Sequence, residues 1–404
     1  MKKILTLSRF EFKKLFMKKA LMVIIAFMCL FNIVNIVRHY NIYADTNSDE
    51  GMMNRARYAI YKVYGGELTE EKLEEIDRLT SQAQQILFSN SIVYDSDKYY
   101  TGNSYADANL FVELGEEVER LTGYSDNYSE ITSQAEELLQ VDYINDYYQK
   151  INQRIIGIYG DRELTVLTNN SGISDFLDYK FSSVLCIILL ILGTVLIFTA
   201  DKDAGADVYL ESSVNGKGRS AAAKLTAASL YTLVIALLFF VIDLISFIVL
   251  LRIDGFDRPL YSLESYFSTP YTMPIWLFII VYFLFRLLGL LCFTAVTSAI
   301  TVILKTPVLS VITSFVFFIA MIILKTYCLS GTVRWANLIN PLVPLTAPKY
   351  IKSYDIMSIL SEPVMFIGAA SLGAIIITAL AVCVVVVISS LRGTSTKKGG
   401  VNNA

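Results

Sequence analysis

Apolar positions along this chain are grouped into long runs. Six of them, at residues 20–37, 181–200, 225–251, 275–304, 308–324 and 364–391, reach the roughly 17 to 25 residues that a helix needs to cross a bilayer. Between the runs lie charged or proline- and glycine-bearing stretches whose irregular backbone has no place in hydrocarbon. The pattern predicts an all-α integral membrane protein with six transmembrane helices. An even number of crossings puts both termini on one side.

The polar segments carry patterns of their own. Within residues 1–19, Ile4, Leu5, Phe12, Leu15 and Phe16 share one side of a helical wheel while Lys3, Lys13, Lys14 and Lys18 share the other. This spacing predicts an amphipathic helix lying along the membrane interface, a reading that a plain basic flank does not explain. Residues 38–180 form a separate domain of about 140 residues, large enough for its own core. In it, Met52–Tyr64 reads as a helix closed by Gly65-Gly66. A second starts at Thr69 with Glu70 and Glu71 in its first turn and Leu73, Ile76, Ala83 and Ile86 on one stripe. Further helices are expected over Tyr105–Leu121, stopped by Gly123, and over Asn127–Ile158. Proline is absent here and no strand alternation stands out, so a helical hairpin or small bundle is expected.

Residues 252–274 read as a short loop on the same side as that domain. The run at 275–304 is longer than a bilayer requires and should tilt, kink near Gly289 or protrude. Residues 325–363 hold Trp335, Asn340-Pro341, Pro344 and Pro348 in an apolar background, which suits short helices dipping into the membrane.

Composition agrees: 54% of residues are hydrophobic, 18% are charged and the mean hydropathy is +0.51. The net charge of −3 hides an asymmetry that sets orientation. Residues 40–179 hold 26 acidic and 10 basic side chains, a balance of −16, which leaves +13 for the rest. Basic residues concentrate in the N-terminal segment, residues 201–224, Lys305 and the tail at 392–404, so that face is cytoplasmic and residues 38–180 are extracellular. The first run is followed by Val37-Arg38-His39-Tyr40, with no small-residue cleavage pattern, and reads as a retained span. The acidic domain also holds 16 of the 25 tyrosines. They form either a recognition face or the ordinary boundary residues of thin helices, the plainer reading.

Candidate chemistry is sparse. The five cysteines contain no CxxC pair, so neither a disulfide framework nor a zinc site is indicated. His39 is the only histidine, which excludes histidine-based triads and two-histidine metal sites within this sequence. Gly216-Lys217 lacks the rest of a phosphate loop, since Glu211 and Gly218 stand where glycine and Ser or Thr are required. Two ionisable residues fall inside apolar runs, Asp243 and Arg286. Counted from the extracellular ends they lie about 9 and about 12 residues deep, at similar depth near mid-membrane. They either line a substrate path or lock two helices as an ion pair, the plainer reading.

Residues 201–224 between the second and third spans carry the most specific signal. Asp201, Asp203 and Gly205, then Leu210, Ser213, Arg219 and Lys224, resemble the loop between those spans in permease subunits of ABC-2-type transporters. The start of the chain, with Arg9, Phe12, Lys13, Lys14 and Phe16, is similar to that family's cytoplasmic interfacial helix. Ala206 stands where the family often has threonine, and Asn215-Gly216 replaces its usual proline. The resemblance implies a transport subunit of an exporter that is not itself an enzyme. Two permease chains, identical or different, would each dock a separate ATP-binding subunit through a coupling helix at 201–224. ATP and Mg would be held by that partner, with no cofactor or metal in this chain. The expected setting is a plasma membrane, the expected contacts are lipids and a transported peptide, drug, ion or lipid, and nothing points to nucleic acid. A permease of the MacB or FtsX kind, which passes mechanical force through an extracellular domain, is the second reading, although those proteins have four spans. A polytopic sensor is the third.

Overall fold

The computed structural model describes residues 2–40, 45, 47–90, 92–95, 97–141, 145–160, 162–169, 171–203, 216–253, 255–327 and 331–398. Six of its helices are long and apolar enough to cross a membrane: Lys19–Tyr40, Gly172–Asp201, Gly218–Leu251, Ile275–Leu304, Pro307–Tyr327 and Phe366–Leu391, here the first to sixth spans. The chain is thus a multi-pass, predominantly helical membrane protein. Two short antiparallel pairs are its only sheet among the described residues, Gly66–Glu67 with Val166–Leu167 and Ile356–Ile359 with Glu362–Met365.

The domain between the first two spans follows its capping residues. Ser48 accepts a hydrogen bond from the Gly51 amide and starts a helix at Asp49, three residues before the expected Met52. Thr69 caps Glu70–Ser89 by accepting from the Lys72 amide, and Asn103 caps Ser104–Thr122 through the amides of Tyr105 and Ala106. The single helix expected over Asn127–Ile158 is instead two, Tyr124–Leu139 and Asp146–Tyr159. Gln140 closes the first, and Asn145 opens the second by accepting from the Tyr147 amide. Apolar periodicity alone carried no sign of that break. Ile60, Ile76, Leu110, Leu114 and Leu121 meet in the domain core.

The domain does not stand apart from residues 252–274. Tyr124 and Tyr128 donate to the Phe267 carbonyl at 3.3 and 3.0 Å, Tyr159 donates to the Ser268 carbonyl at 2.9 Å, and Arg162 donates to the Thr269 carbonyl at 2.6 Å. The Arg162 guanidinium sits 4.7 Å from the Tyr159 ring and 4.9 Å from that of Tyr261. Tyr124, Tyr128 and Tyr159 are buried, so part of the tyrosine excess builds a clamp and neither of the two sequence readings covers it. Burial pushes the Tyr124 hydroxyl up to about 12, so it remains a hydrogen-bond donor at physiological pH.

Further along, the fourth span runs unbroken from Ile275 to Leu304 with no break in the helix at Gly289. A Cβ at Gly289 would lie 2.5 Å from Leu345 Cδ1 and 2.7 Å from the Pro341 carbonyl oxygen. This glycine therefore serves close packing. Against it sits the segment between the fifth and sixth spans, made of a 3-10 helix at Gly331–Ile339, the short helices Leu342–Leu345 and Ala347–Ile351, and the hairpin Ile356–Met365. Leu342, Val343, Leu345 and Ile351 of this segment are buried within the bundle.

Candidate functional site

A polar network occupies the interior between the first four spans. Arg286 Nη1 donates to Asp243 Oδ2 at 3.1 Å, with the two side chains only 1% and 2% exposed. Ser182 donates its hydroxyl to the same carboxylate oxygen, and Asn32 Nδ2 donates to Oδ1 at 2.7 Å. Tyr179 donates to Asn32 Oδ1 at 2.9 Å and accepts from Asn35 Nδ2 at 3.1 Å. Arg286 Nη2 also reaches Ser182 Oγ at 2.9 Å and Cys186 Sγ at 3.7 Å. Four spans thus supply one network: Asn32 from the first, Ser182 and Cys186 from the second, Asp243 from the third and Arg286 from the fourth.

Each of these groups would be costly alone in hydrocarbon. Together the acid and base cancel, and both carboxylate oxygens are engaged, so the arrangement holds helices in register and leaves no free carboxylate oxygen for an incoming ligand. Asp243 and Arg286 were the only members singled out by sequence. Asn32 and Asn35 left a readable signal, two amides inside an otherwise apolar run. Ser182, at the edge of its run, left none.

A second charged cluster lies at the opposite end of the second and third spans. Asp201 pairs with Lys14 at 2.6 Å and Lys224 at 2.7 Å, and Lys224 also approaches the Phe198 carbonyl at 3.5 Å. Glu11 is buried beside them, and burial, with the neighbouring Asp201 charge, lifts its carboxyl above the usual range. The N-terminal helix, Lys2–Phe16, packs along the third span, with Ser8, Glu11 and Leu15 buried and Phe16 6.1 Å from Tyr231. The wheel had placed Lys14 on the outer, polar side. In the structure it folds inward, because the surface beneath this helix is the charged end of the second and third spans.

Other positions in residues 201–224 divide. The second-span helix continues through Asp203, and the third-span helix begins at Gly216, so the segment expected as a loop is helical at both ends. Arg219 is exposed on that third-span helix and Lys224 is buried on it. Gly205, Leu210 and Ser213 lie outside the described residues. On the N-terminal helix, Arg9 and Lys13 are exposed while Phe12 and Phe16 are half-buried, their rings 4.7 Å apart.

At the other end of the bundle, a cleft of about 460 Å³ opens between the inserted domain and Glu264. Glu113, Glu116, Glu117 and Asp175 line it with Arg57 and Arg120. Arg57 pairs with Glu113 at 2.8 Å and Arg120 pairs with Glu117. Among the described residues, no three of His, Cys, Asp and Glu converge as metal ligands. No protein-family model matches the chain, and neither does any curated protein or solved structure.

Proposed function

We propose that this chain is the permease subunit of an ATP-driven exporter of the ABC-2 type, working with a separate ATP-binding subunit and a second permease chain. The observation that carries the reading is the cluster of Glu11, Lys14, Asp201 and Lys224, which ties the N-terminal helix to both roots of residues 204–215. A partner that grips those residues would move the second span, the third span and the N-terminal helix together. In this reading the N-terminal helix lies at the cytoplasmic interface, both termini are cytoplasmic, residues 38–180 are extracellular and the membrane is the plasma membrane. Asp203 and Arg219 supply charged contacts to the ATPase, with Gly205, Leu210 and Ser213 between them. ATP and Mg belong to that partner. The acidic cleft favours cationic cargo, of which a basic peptide is the leading class.

The test is co-purification in detergent with the ATPase encoded beside the gene, scored by vanadate-sensitive ATP hydrolysis. The wild type is expected to retain a Walker-bearing partner, and D203A/R219A to lose or uncouple it. If no ATPase elutes with the wild-type chain, the reading fails.

A further inference from the structure

The inserted domain meets the segment before the sixth span at two places of opposite character. The first is buried. Arg162 of the domain donates to the Thr269 carbonyl at 2.6 Å, and the enclosed Thr269 hydroxyl donates to the Ile351 carbonyl at 2.6 Å. The second lies at the surface. Lys150 and Arg154, one turn apart on the helix Asp146–Tyr159, reach the hairpin Ile356–Met365, where Lys150 pairs with Glu362 and Arg154 donates to the Pro363 carbonyl. The Lys150 and Glu362 side chains are 41% and 51% exposed, a setting in which an ion pair adds little and is screened by salt.

The hairpin gripped in this way is firm at its base and strained at its tip. Its strands pair from Ile356 with Met365 to Ile359 with Glu362, which leaves Leu360 and Ser361 as a two-residue turn. Both turn residues are left-handed, with φ of 54° and 65°, a conformation for which such turns favour Asn and Gly. Leu360 is also 95% exposed, so its burial does not offset the strain. At the base, Asp355 pairs with Arg334, and the Asp355 carbonyl accepts from the Phe366 amide at 2.9 Å. Phe366 is the first residue of the sixth span and is buried, with the Arg334 guanidinium 4.1 Å from its ring. A costly turn held down by exposed charges and rooted in a buried span head is built as a catch.

We infer that the hairpin Ile356–Met365 is a strap between the inserted domain and the head of the sixth span, fastened at its tip by Lys150 and Arg154. It is released at the tip when the Lys150–Glu362 pair is broken, while its base stays closed. Fastened, it makes the domain hold the sixth span as well as the loop at 252–274; released, the domain keeps the buried link through Thr269. The inference needs these contacts and a membrane-spanning sixth helix, so it stands or falls apart from the transport reading.

The experiment is hydrogen–deuterium exchange on the full-length protein in detergent, read as protection of the amides within residues 357–364 and of the Phe366 amide. In the wild type, raising salt from ~0.05 to ~0.5 M should lower protection at 357–364 on the order of threefold and leave Phe366 unchanged. K150E should lower it on the order of fivefold at low salt, and the charge swap K150E/E362K should restore it. L360N/S361G, which gives the turn its favoured residues, should raise it. Protection at 357–364 that ignores both salt and K150E, or that the swap fails to restore, overturns the fastening. The salt series needs no substitution, so it decides even if a variant misfolds. Loss at Phe366 in step with the tip means that the hairpin comes away whole and overturns the strap, and unchanged protection in L360N/S361G overturns the strained tip.

Discussion

Removing either member of the buried pair should reveal an asymmetry set by chemistry. At the observed 3.1 Å separation, an effective dielectric constant of ~20 gives an attraction of about 5 kcal/mol. Breaking such a pair from one side typically costs ~3–5 kcal/mol, since the remaining charge is left buried. The two survivors have different escapes. In R286Q the lone Asp243 can take up a proton, which at pH 7 costs about 4 kcal/mol from an ordinary carboxyl and caps the loss. In D243N the lone Arg286 has no such route, because shedding its proton at pH 7 costs at least ~7 kcal/mol. D243N should therefore be the more damaging single change, and D243N/R286Q should recover much of the loss through amide–amide hydrogen bonding. The assay is the half-life of the monodisperse protein in detergent at a fixed elevated temperature, a kinetic measure suited to irreversible unfolding. D243N is expected to shorten it by roughly tenfold or more, R286Q by less, and the double variant by less than D243N. Equal half-lives for the two single variants, or a double variant weaker than either, would refute the neutral lock.

Gly289→Ala should destabilise by ~1–3 kcal/mol, because its Cβ meets Leu345 and the Pro341 carbonyl inside 3 Å, while Gly368→Ala, with no atom within 4 Å of the added carbon, should be nearly silent; thermal half-lives of the two variants give the comparison. Glu11→Gln should stabilise the protein at neutral pH, because burial makes ionisation of Glu11 unfavourable in the folded state. Its folded-state carboxyl titrates above the unfolded one, so the wild type gains stability relative to E11Q as pH falls through that raised value, and the difference is spent below about pH 4. Half-lives of both proteins across pH 4 to 8 would show a constant gap if the argument is wrong.

The long elements were legible because a spanning helix needs only length and apolar composition, and caps such as Thr69 and Asn103 announce themselves locally. What sequence could not supply was contact between segments far apart in the chain. Nothing local to Tyr124, Tyr128 or Tyr159 says that their hydroxyls find carbonyls at Phe267 and Ser268, 109 to 143 residues away. Tyrosine counts read as surface because a hydroxyl is usually solvated; here backbone carbonyls take the place of water. The break between Leu139 and Asp146 was missed for a different reason, since one asparagine cap outweighs apolar periodicity that continues on both sides. Asp243 and Arg286 were visible because charge in an apolar run is conspicuous. Their partner Ser182 was not, because serine at the edge of a span is unremarkable.

The second span contributes to both polar clusters, and that fact organises the bundle. Ser182 near one end belongs to the buried network, and Asp201 near the other joins Lys14 and Lys224. Nineteen residues of helix separate them, a rise of roughly 28 Å. The span helix that joins them is continuous, from Phe181 to Asp203, so a displacement at Asp201 passes along it without a hinge. At Ser182 it bonds Asp243 of the third span and Arg286 of the fourth, and Asp243 in turn accepts from Asn32 of the first, while the described residues of the fifth and sixth spans contribute nothing to that network. The fifth span is tied elsewhere, where Asn340 Nδ2 donates to the Met321 carbonyl at 2.9 Å, and the sixth is held close at Gly373, where a Cβ would lie 1.9 Å from the Leu338 carbonyl oxygen. One polar network thus joins the first four spans at the far end of the helix that carries Asp201, so the two charged clusters are linked through a single continuous element.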